Sequence, residues 1–137
     1  MPEKIVFSEK NTPVVSLNPN GMITIKGRSA GGNLHSFYEQ IDNWVEEYLS
    51  DPADLTCVDV YLEYLKGFDL KIYISLLKKI SSVKLKNKKC LINWYYEEGD
   101  DDILDAGECI SLMLRHPFNF IKISDPEHLF PNNFKKL

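Results

Sequence analysis

The sequence contains little cysteine, and its cysteines are not arranged as a cross-link or a metal site. The three residues, Cys57, Cys90 and Cys109, are an odd number at wide spacing without a Cys-x-x-Cys pair. Cys57 and Cys90 lie within apolar strand patterns, where a free cysteine behaves as a small hydrophobic residue. We therefore expect reduced thiols in the core, with no disulfide framework and no cysteine-held metal.

Long apolar runs and an excess of positive charge are also absent. No stretch approaches the roughly 18 uninterrupted apolar residues of a membrane-spanning helix, and residues 1–10 lack the apolar stretch of a secretory signal. Sixteen basic and twenty acidic side chains give a net charge of −4, whereas binding to nucleic-acid phosphates needs a basic surface. These absences predict a cytoplasmic protein that binds neither a membrane nor nucleic acid.

Patterns that support catalysis or cofactor binding are missing as well. The three histidines, His35, His116 and His128, are not placed beside a nucleophile and an acid as a catalytic triad requires. Gly31-Gly32 is an isolated glycine pair without a phosphate-loop pattern around it. We expect no catalytic residue, no cofactor and no enzymatic activity.

One acidic run keeps a different function open. Glu97, Glu98 and the three aspartates from Asp100 to Asp102 offer the oxygen ligands that divalent cations prefer. Their spacing does not match an EF-hand loop, and acidic residues ahead of a helix also stabilise its positive N-terminal end. The alternative hypothesis is a small divalent-metal-dependent enzyme or metal-binding protein that uses residues 97–102, whereas the leading hypothesis assigns the chain no metal.

The pattern that is present is that of one α/β domain. With 137 residues, 44% of them hydrophobic, the chain is long enough for one buried core. Two strands joined at Asn18 to Gly21 precede a helix from about Asn33 to Ser50, and the predicted order is β-β-α-β-α-β-α-β. Helices between strands favour parallel neighbours, so we expect a mixed sheet. We divide the chain into a polar leader (1–11), the domain (12–124) and a polar C-terminal tail (125–137).

Aromatic residues are concentrated on the predicted strands. They are Tyr61, Tyr64, Trp94, Tyr95 and Tyr96. Base stacking on a sheet face needs basic side chains interleaved with such aromatics, and these are lacking. The pattern favours packing in the core, and a homodimer formed through exposed aromatics is a further hypothesis.

Several segments, taken in order, resemble the SiaC family of bacterial regulatory phosphoproteins. The matching segments are Thr12-Pro-Val, Ile25-Lys-Gly-Arg-Ser29, the helix from Phe37 to Leu49, Leu62-Glu-Tyr-Leu65, Lys71, Trp94-Tyr-Tyr96, Asp102 and Gly107-Glu108. The resemblance spans most of the chain. It implies an architecture like that of STAS domains, the fold of anti-sigma-factor antagonists.

The same resemblance implies a partner-switching protein that is not an enzyme. In the family, a histidine-kinase-like ATPase phosphorylates a Thr or Ser just after the third strand, and a PP2C-type phosphatase removes the phosphate. The unmodified protein binds an effector, in the best-known systems a diguanylate cyclase, which links such proteins to biofilm regulation. A phosphate at the N-terminal end of a helix is tolerated locally, but it changes the charge that a partner meets.

This chain lacks a hydroxyl at the position where the family is phosphorylated. The family has a pattern like Asn-Thr-Ser-Ser before a lysine, whereas Lys66-Gly67-Phe68-Asp69 stands before Leu70-Lys71 here. Gly67 aligns with the phosphoacceptor, Asp69 aligns with a serine, and Ala30-Gly31-Gly32 replaces the usual Tyr-Pro-Glu. We therefore predict a degenerate phospho-switch site and partner surface, formed by Lys66, Gly67, Phe68, Asp69 and Lys71, without the usual Thr/Ser phosphorylation.

Asp69 has two possible roles at this site. As the N-cap of the second helix it would contribute about 1 kcal/mol relative to alanine. Alternatively it is a fixed negative charge that imitates the phosphorylated state, although a carboxylate carries less charge than a phosphate. Lys71 either neutralises Asp69, meets an acidic group of a partner, or is simply solvated.

Overall fold

The computed structural model describes residues 1–8, 10–31 and 34–124, apart from the side chains of Leu34 and Phe68. These residues form one six-stranded mixed sheet with strand order β1-β2-β3-β4-β5-β6, and three α-helices. The strands are β1 (Lys4–Val6), β2 (Val14–Leu17), β3 (Met22–Ser29), β4 (Leu55–Leu65), β5 (Lys89–Glu97) and β6 (Asn119–Ile123). The helices are α1 (Leu34–Ser50), α2 (Leu70–Ser81) and α3 (Asp101–Leu114), and 3-10 turns at Gly67–Asp69 and Ser82–Lys86 flank α2. The predicted mixed α/β fold is confirmed.

The segment predicted as a polar leader contains a strand that sequence patterns missed. Lys4–Val6 pairs antiparallel with β2, and Val6 is buried against the core. Three residues are too few for an alternating pattern to be recognised, so the pairing with β2 decides their conformation. The indole Nε1 of Trp44 donates to the carbonyl of Pro2 at 3.1 Å, which holds this segment against α1.

The predicted hairpin between β2 and β3 is confirmed. The N–H of Asn18 donates to the carbonyl of Met22 at 3.0 Å, and Gly21 has a φ of 104°. A Cβ atom at Gly21 would lie 2.1 Å from the carbonyl oxygen of Leu55. Glycine is therefore required here both by the backbone conformation and by the close approach of β4.

The three helices lie on one face of the sheet. Strands β3 to β6 are parallel neighbours in chain order, and a helix lies in each connection between them. Right-handed connections that advance in one direction along a sheet place their helices on the same side. The main core lies between, with the fully buried residues Val15, Ile25, Val60 and Trp94 from the sheet and Ile41, Leu77 and Ile110 from the helices. No described helix covers the opposite face, and none of the described helices is long and apolar enough to cross a membrane.

Helix α2 is shorter than predicted. The apolar pattern suggests one helix to about Leu85, but the α-helix ends at Ser81 and a 3-10 turn continues to Lys86. The hydroxyls of Ser81 and Ser82 donate back to backbone carbonyls three residues earlier, at 2.9 and 2.6 Å. Such side-chain bonds compete with the helical pattern, which is a local reason for the change.

The cysteines are all free thiols, but they do not share one environment. Cys90 is buried, and burial raises its pKa to about 11. Cys57 is half-buried and Cys109 is exposed on α3. The prediction of a core thiol is confirmed for Cys90 and wrong for Cys109, because Cys109 is exposed.

Candidate functional site

The predicted site lies at the junction where β4 ends and α2 begins. Lys66 is extended, with φ −72° and ψ 139°, and residues Gly67–Asp69 form a 3-10 turn before α2. The N–H of Lys66 donates to the carbonyl of Ser29 at 2.7 Å, which joins the junction to the end of β3. Lys66, Gly67 and Lys71 are exposed, and the side chain of Phe68 lies outside the described residues.

Asp69 is separated from these exposed residues. Its side chain is only 2% exposed, and Oδ2 accepts hydrogen bonds from Ser29 Oγ at 2.6 Å and from the N–H of Gly31 at 3.0 Å. The residue occupies the N-cap position of α2, but its side chain makes no capping hydrogen bond. The carboxylate instead links the start of α2 to the end of β3 through these two hydrogen bonds, and it does not present a charge on the surface. The contact of Asp69 with Ser29 and Gly31 is here called the tie.

The tie joins two positions at which this chain has a different residue from the pattern of the family it resembles. Asp69 stands where that resemblance implies a serine, and Gly31 stands where it implies a proline. A proline at position 31 would have no N–H to donate. The hydrogen bond between Gly31 and Asp69 therefore depends on both departures at once. Each departure is visible in the sequence, but no local pattern indicates that the two residues meet, because they are 38 positions apart.

Tyr73 lies behind the tie, one turn further along α2. It is fully buried, and its hydroxyl makes no hydrogen bond of normal geometry with the described residues. Burial raises the pKa of Tyr73 far above its usual range, the neighbouring Ser29 opposes this rise, and the negative charge of Asp69 adds to it. The interior of the junction is therefore a small polar cluster of Ser29, Asp69 and Tyr73 within an apolar core.

Gly67 has free space around it. A Cβ atom added there would meet no other atom within 4 Å, and its φ is not in the positive range that favours glycine. A larger residue therefore fits without strain. The lack of a hydroxyl at this exposed position follows from the residue type and not from crowding.

The surface around the junction has a basic side and an acidic side. Lys66, Lys71 and Arg28 supply positive charge, and the Arg28 guanidinium lies over the ring of Tyr64 at 5.0 Å from its centroid. On the other side a shallow cleft of about 240 Å³ separates the end of β4 from the start of α3. The cleft is lined by Glu63, Tyr64, Leu65, Asp100, Asp102 and Ile103. Its mixed apolar and acidic lining suits a protein segment better than a small anion.

The three aspartates of the acidic run at residues 97–102 form the N-terminal end of α3. Asp100 is its N-cap, and its side chain accepts a hydrogen bond from the N–H of Ile103 at 3.1 Å. Asp101 and Asp102 lie in the first turn, where negative charge is favourable. In the described part of the chain, no group of three or more His, Cys, Asp or Glu side chains is placed to hold a metal ion. The start of α3 therefore accounts for Asp100, Asp101 and Asp102, whereas Glu97 is the last residue of β5.

The histidines that the structure describes lie apart from the junction. His35 is exposed on α1, with Nε2 3.9 Å from a carboxylate oxygen of Glu39. His116 is buried, and its Nδ1 lies 2.7 Å from Nζ of Lys84. Burial lowers the pKa of His116, and the positive charge of Lys84 lowers it further. His128 lies outside the described residues.

The aromatic residues divide between the two faces of the sheet. Trp94 is fully buried in the main core, and its Nε1 donates to the carbonyl of Ile103 at 2.9 Å. A Cβ atom at Gly107 would lie 2.5 Å from that same Nε1, so the family-like residues Trp94 and Gly107 form one packing contact. The prediction of core packing is confirmed for Trp94. It is also confirmed for Tyr61, which is buried in a separate cluster on the face without helices and stacks on the half-buried Tyr95 with ring centroids 4.0 Å apart. It is wrong for Tyr64, whose side chain is 44% exposed.

Comparisons with known proteins agree with this fold. A family model described as SiaC family regulatory phosphoprotein matches residues 6–123. The crystal structure of apo-SiaC from Pseudomonas aeruginosa is 20% identical with a TM-score of 0.77, and the match covers 88% of this chain and 99% of that chain. A chain of the crystal structure of the diguanylate cyclase SiaD in complex with its activator SiaC, from the same organism, is 19% identical with a TM-score of 0.78 and the same coverage. An uncharacterized Pseudomonas aeruginosa protein is 22% identical over 88 residues, which are 64% of this chain and 70% of that protein.

Proposed function

This chain belongs to the SiaC family of regulatory phosphoproteins, and from that premise we propose that it is a non-enzymatic signalling module that binds partner proteins through the junction of β4 and α2. The proposal includes the loss of phosphorylation at the usual position, since Gly67 offers no hydroxyl. It also includes a cytoplasmic location. No phosphate at this junction then controls binding.

The burial of Asp69 is the observation that carries the proposal. A carboxylate that imitates a phosphate must present its charge to a partner, but Asp69 is 2% exposed and is held by Ser29 and Gly31. The exposed residues of the junction, Lys66, Gly67 and Lys71, carry no negative charge. These exposed residues therefore lack the negative charge that a phosphate would add, and the resemblance implies that the unmodified form is the one that binds an effector.

The geometry of the tie supports a constant shape for this surface. Two hydrogen bonds to a buried carboxylate fix the distance between the end of β3 and the start of α2. A hydroxyl that is phosphorylated and dephosphorylated alternates between two charges, whereas Gly67 has no hydroxyl to modify. We propose constitutive binding on these grounds.

The class of partner comes from the relatives. SiaC of Pseudomonas aeruginosa is described as the activator of the diguanylate cyclase SiaD, with which it forms a complex. We propose a diguanylate cyclase or a related effector as the partner of this chain. A histidine-kinase-like ATPase and a PP2C-type phosphatase, which the family resemblance also implies, would find no substrate hydroxyl at position 67.

Charge reversal at the junction tests the proposal. Purified protein is mixed with each diguanylate cyclase of its own cell, and complex formation is measured by co-elution and by cyclase activity. We expect the Lys66→Glu, Lys71→Glu double variant to lose binding, because an acidic surface replaces a basic one. Lys89→Glu is the matched control, since Lys89 is exposed at the opposite end of the sheet. Undiminished binding by a correctly folded double variant would place the partner surface elsewhere.

A further inference from the structure

The cleft between the end of β4 and the start of α3 has an apolar lining that belongs to the protein core. Ile103 is buried, and the half-buried Leu65 packs against the main core. The cleft has a volume of about 240 Å³. Pockets for small molecules usually enclose about 300–1,000 Å³, so this cleft is better suited to one or two side chains of another protein.

Negative charge surrounds this apolar lining. The carboxylates of Glu63, Asp100 and Asp102 line the cleft, and none of the three forms an ion pair with another described residue. Asp100 is engaged as the N-cap of α3. Across residues 1–8, 10–31 and 34–124, acidic side chains are nowhere grouped to hold a metal ion. The charge of Glu63 and Asp102 is therefore better matched by the cationic side chain of a protein.

The exposed aromatic residue of the cleft already contacts one cation. The guanidinium of Arg28 lies over the ring of Tyr64, 5.0 Å from its centroid. Tyr64 nevertheless remains exposed. An aromatic ring attracts Lys and Arg through its negative face, and the nearby carboxylates add to this attraction. The cleft thus favours a basic side chain by two independent interactions.

The cleft is continuous with the partner surface at the junction of β4 and α2. Leu65 lines the cleft, and the next residue, Lys66, is the first of the junction. One segment of a partner can therefore contact Lys66 and Lys71 on one side and Glu63 and Asp102 on the other. A nucleotide or another anion would be repelled by the cleft, and a neutral segment would leave its carboxylates without a counter-charge.

We propose that the cleft receives a Lys or Arg side chain, flanked by apolar residues, from a partner segment whose acidic residues face Lys66 and Lys71. This inference rests on the proposed function, because it gives the chemistry of the segment that binds at the junction. The two opposite charges of the surface also fix the direction of that segment. The reversed direction would place like charges against each other at both ends.

Substitutions at two adjacent positions of α3 test the proposal. Asp101 and Asp102 are both exposed in the first turn, but only Asp102 lines the cleft. Affinity for the diguanylate cyclase that co-elutes with the wild-type protein is measured by surface plasmon resonance. The salt concentration is about 150 mM, at which charges more than about 8 Å apart are largely screened.

We expect Asp102→Lys to weaken binding by at least about tenfold and Asp102→Asn to weaken it by a smaller factor, because the first reverses a charge that the second only removes. Asp101→Lys is the matched control, with an expected change of less than about threefold. Both lysine variants place the same charge at the positive end of α3, so their melting temperatures should agree. Asp102→Asn replaces Asp102→Lys if lysine prevents folding.

Each contrary result has its own meaning. If Asp102→Lys binds like Asp101→Lys while the Lys66→Glu, Lys71→Glu variant loses binding, this inference is overturned and the proposed function stands. If all these variants bind like the wild type, the proposed function fails as well. A loss for Asp102→Lys with none for Asp102→Asn would show a neutral segment blocked by a bulky side chain. A wild-type mass in light scattering that rises with concentration, and does not rise for Asp102→Lys, would assign the cleft to a second copy, which also overturns the proposal.

Discussion

Replacing Asp69 with alanine is expected to lower the free energy of unfolding by about 2–4 kcal/mol. The substitution removes the acceptor of two hydrogen bonds, from Ser29 Oγ and from the N–H of Gly31. Hydrogen bonds to a charged group contribute about 1.5–3 kcal/mol each. Relief from burying a carboxylate offsets part of their loss, whereas the two donors left without a partner add to it.

The size of this loss in the free energy of unfolding shows whether Asp69 acts through the tie or only as a helix cap. A capping role predicts a loss of about 1 kcal/mol for Asp69→Ala and almost none for Asp69→Ser, because serine caps a helix as well as aspartate. The tie predicts a loss for serine too, because its shorter side chain cannot meet both donors. Lys71→Ala is the control, and at this exposed residue we expect a change within about 0.5 kcal/mol.

Urea denaturation measures these differences, provided that the slope of free energy against urea is the same for all variants. A double-mutant cycle with Ser29→Ala isolates the hydrogen bond between Ser29 and Asp69, and we expect a coupling energy of about 1.5 kcal/mol. Asp69 does not stabilise the fold through these two hydrogen bonds if Asp69→Ala lowers the free energy of unfolding by less than about 1 kcal/mol, Asp69→Ser leaves it unchanged, and the cycle shows no coupling.

Three further predictions follow from particular contacts. Gly67→Thr should leave stability nearly unchanged, because nothing lies within 4 Å of the new Cβ; we expect it to accept phosphate from a family kinase in a radiolabel assay and then to lose effector binding. Gly107→Ala should cost about 1–3 kcal/mol in urea denaturation, since its Cβ would lie 2.5 Å from Nε1 of Trp94; unchanged stability would contradict that packing. The pKa of His116 is lowered in the folded protein by burial and by Lys84, so its contribution to stability is complete above the unfolded value of about 6.5 and is lost as the pH falls through the folded value. Stability measured against pH should therefore fall on this acidic side, and His116→Gln should reduce the fall; equal profiles for both proteins would refute this role.

Local sequence patterns were sufficient to predict most helices and strands, because the formation of these elements depends largely on residues close together in the chain. The apolar spacing of α1, the turn residues before Gly21 and the alternation along β4 each contain a complete local signal. The strand Lys4–Val6 was missed because three residues carry too little pattern, and α2 was overextended because its apolar spacing continues into the 3-10 turn.

The absence of a hydroxyl at Gly67 is settled by the amino-acid sequence alone, since no fold supplies an atom that the residue lacks. The orientation of Asp69 was decided only in the folded protein. Its partners are 38 and 40 residues away in the chain, and their proximity depends on the parallel pairing of β3 with β4. In the same way, alternation placed Tyr61 on one face of β4, but only the packing of all the helices on the other face made it part of a second cluster. Residue chemistry is local, whereas the identity of a contact depends on which distant segments the tertiary structure brings together.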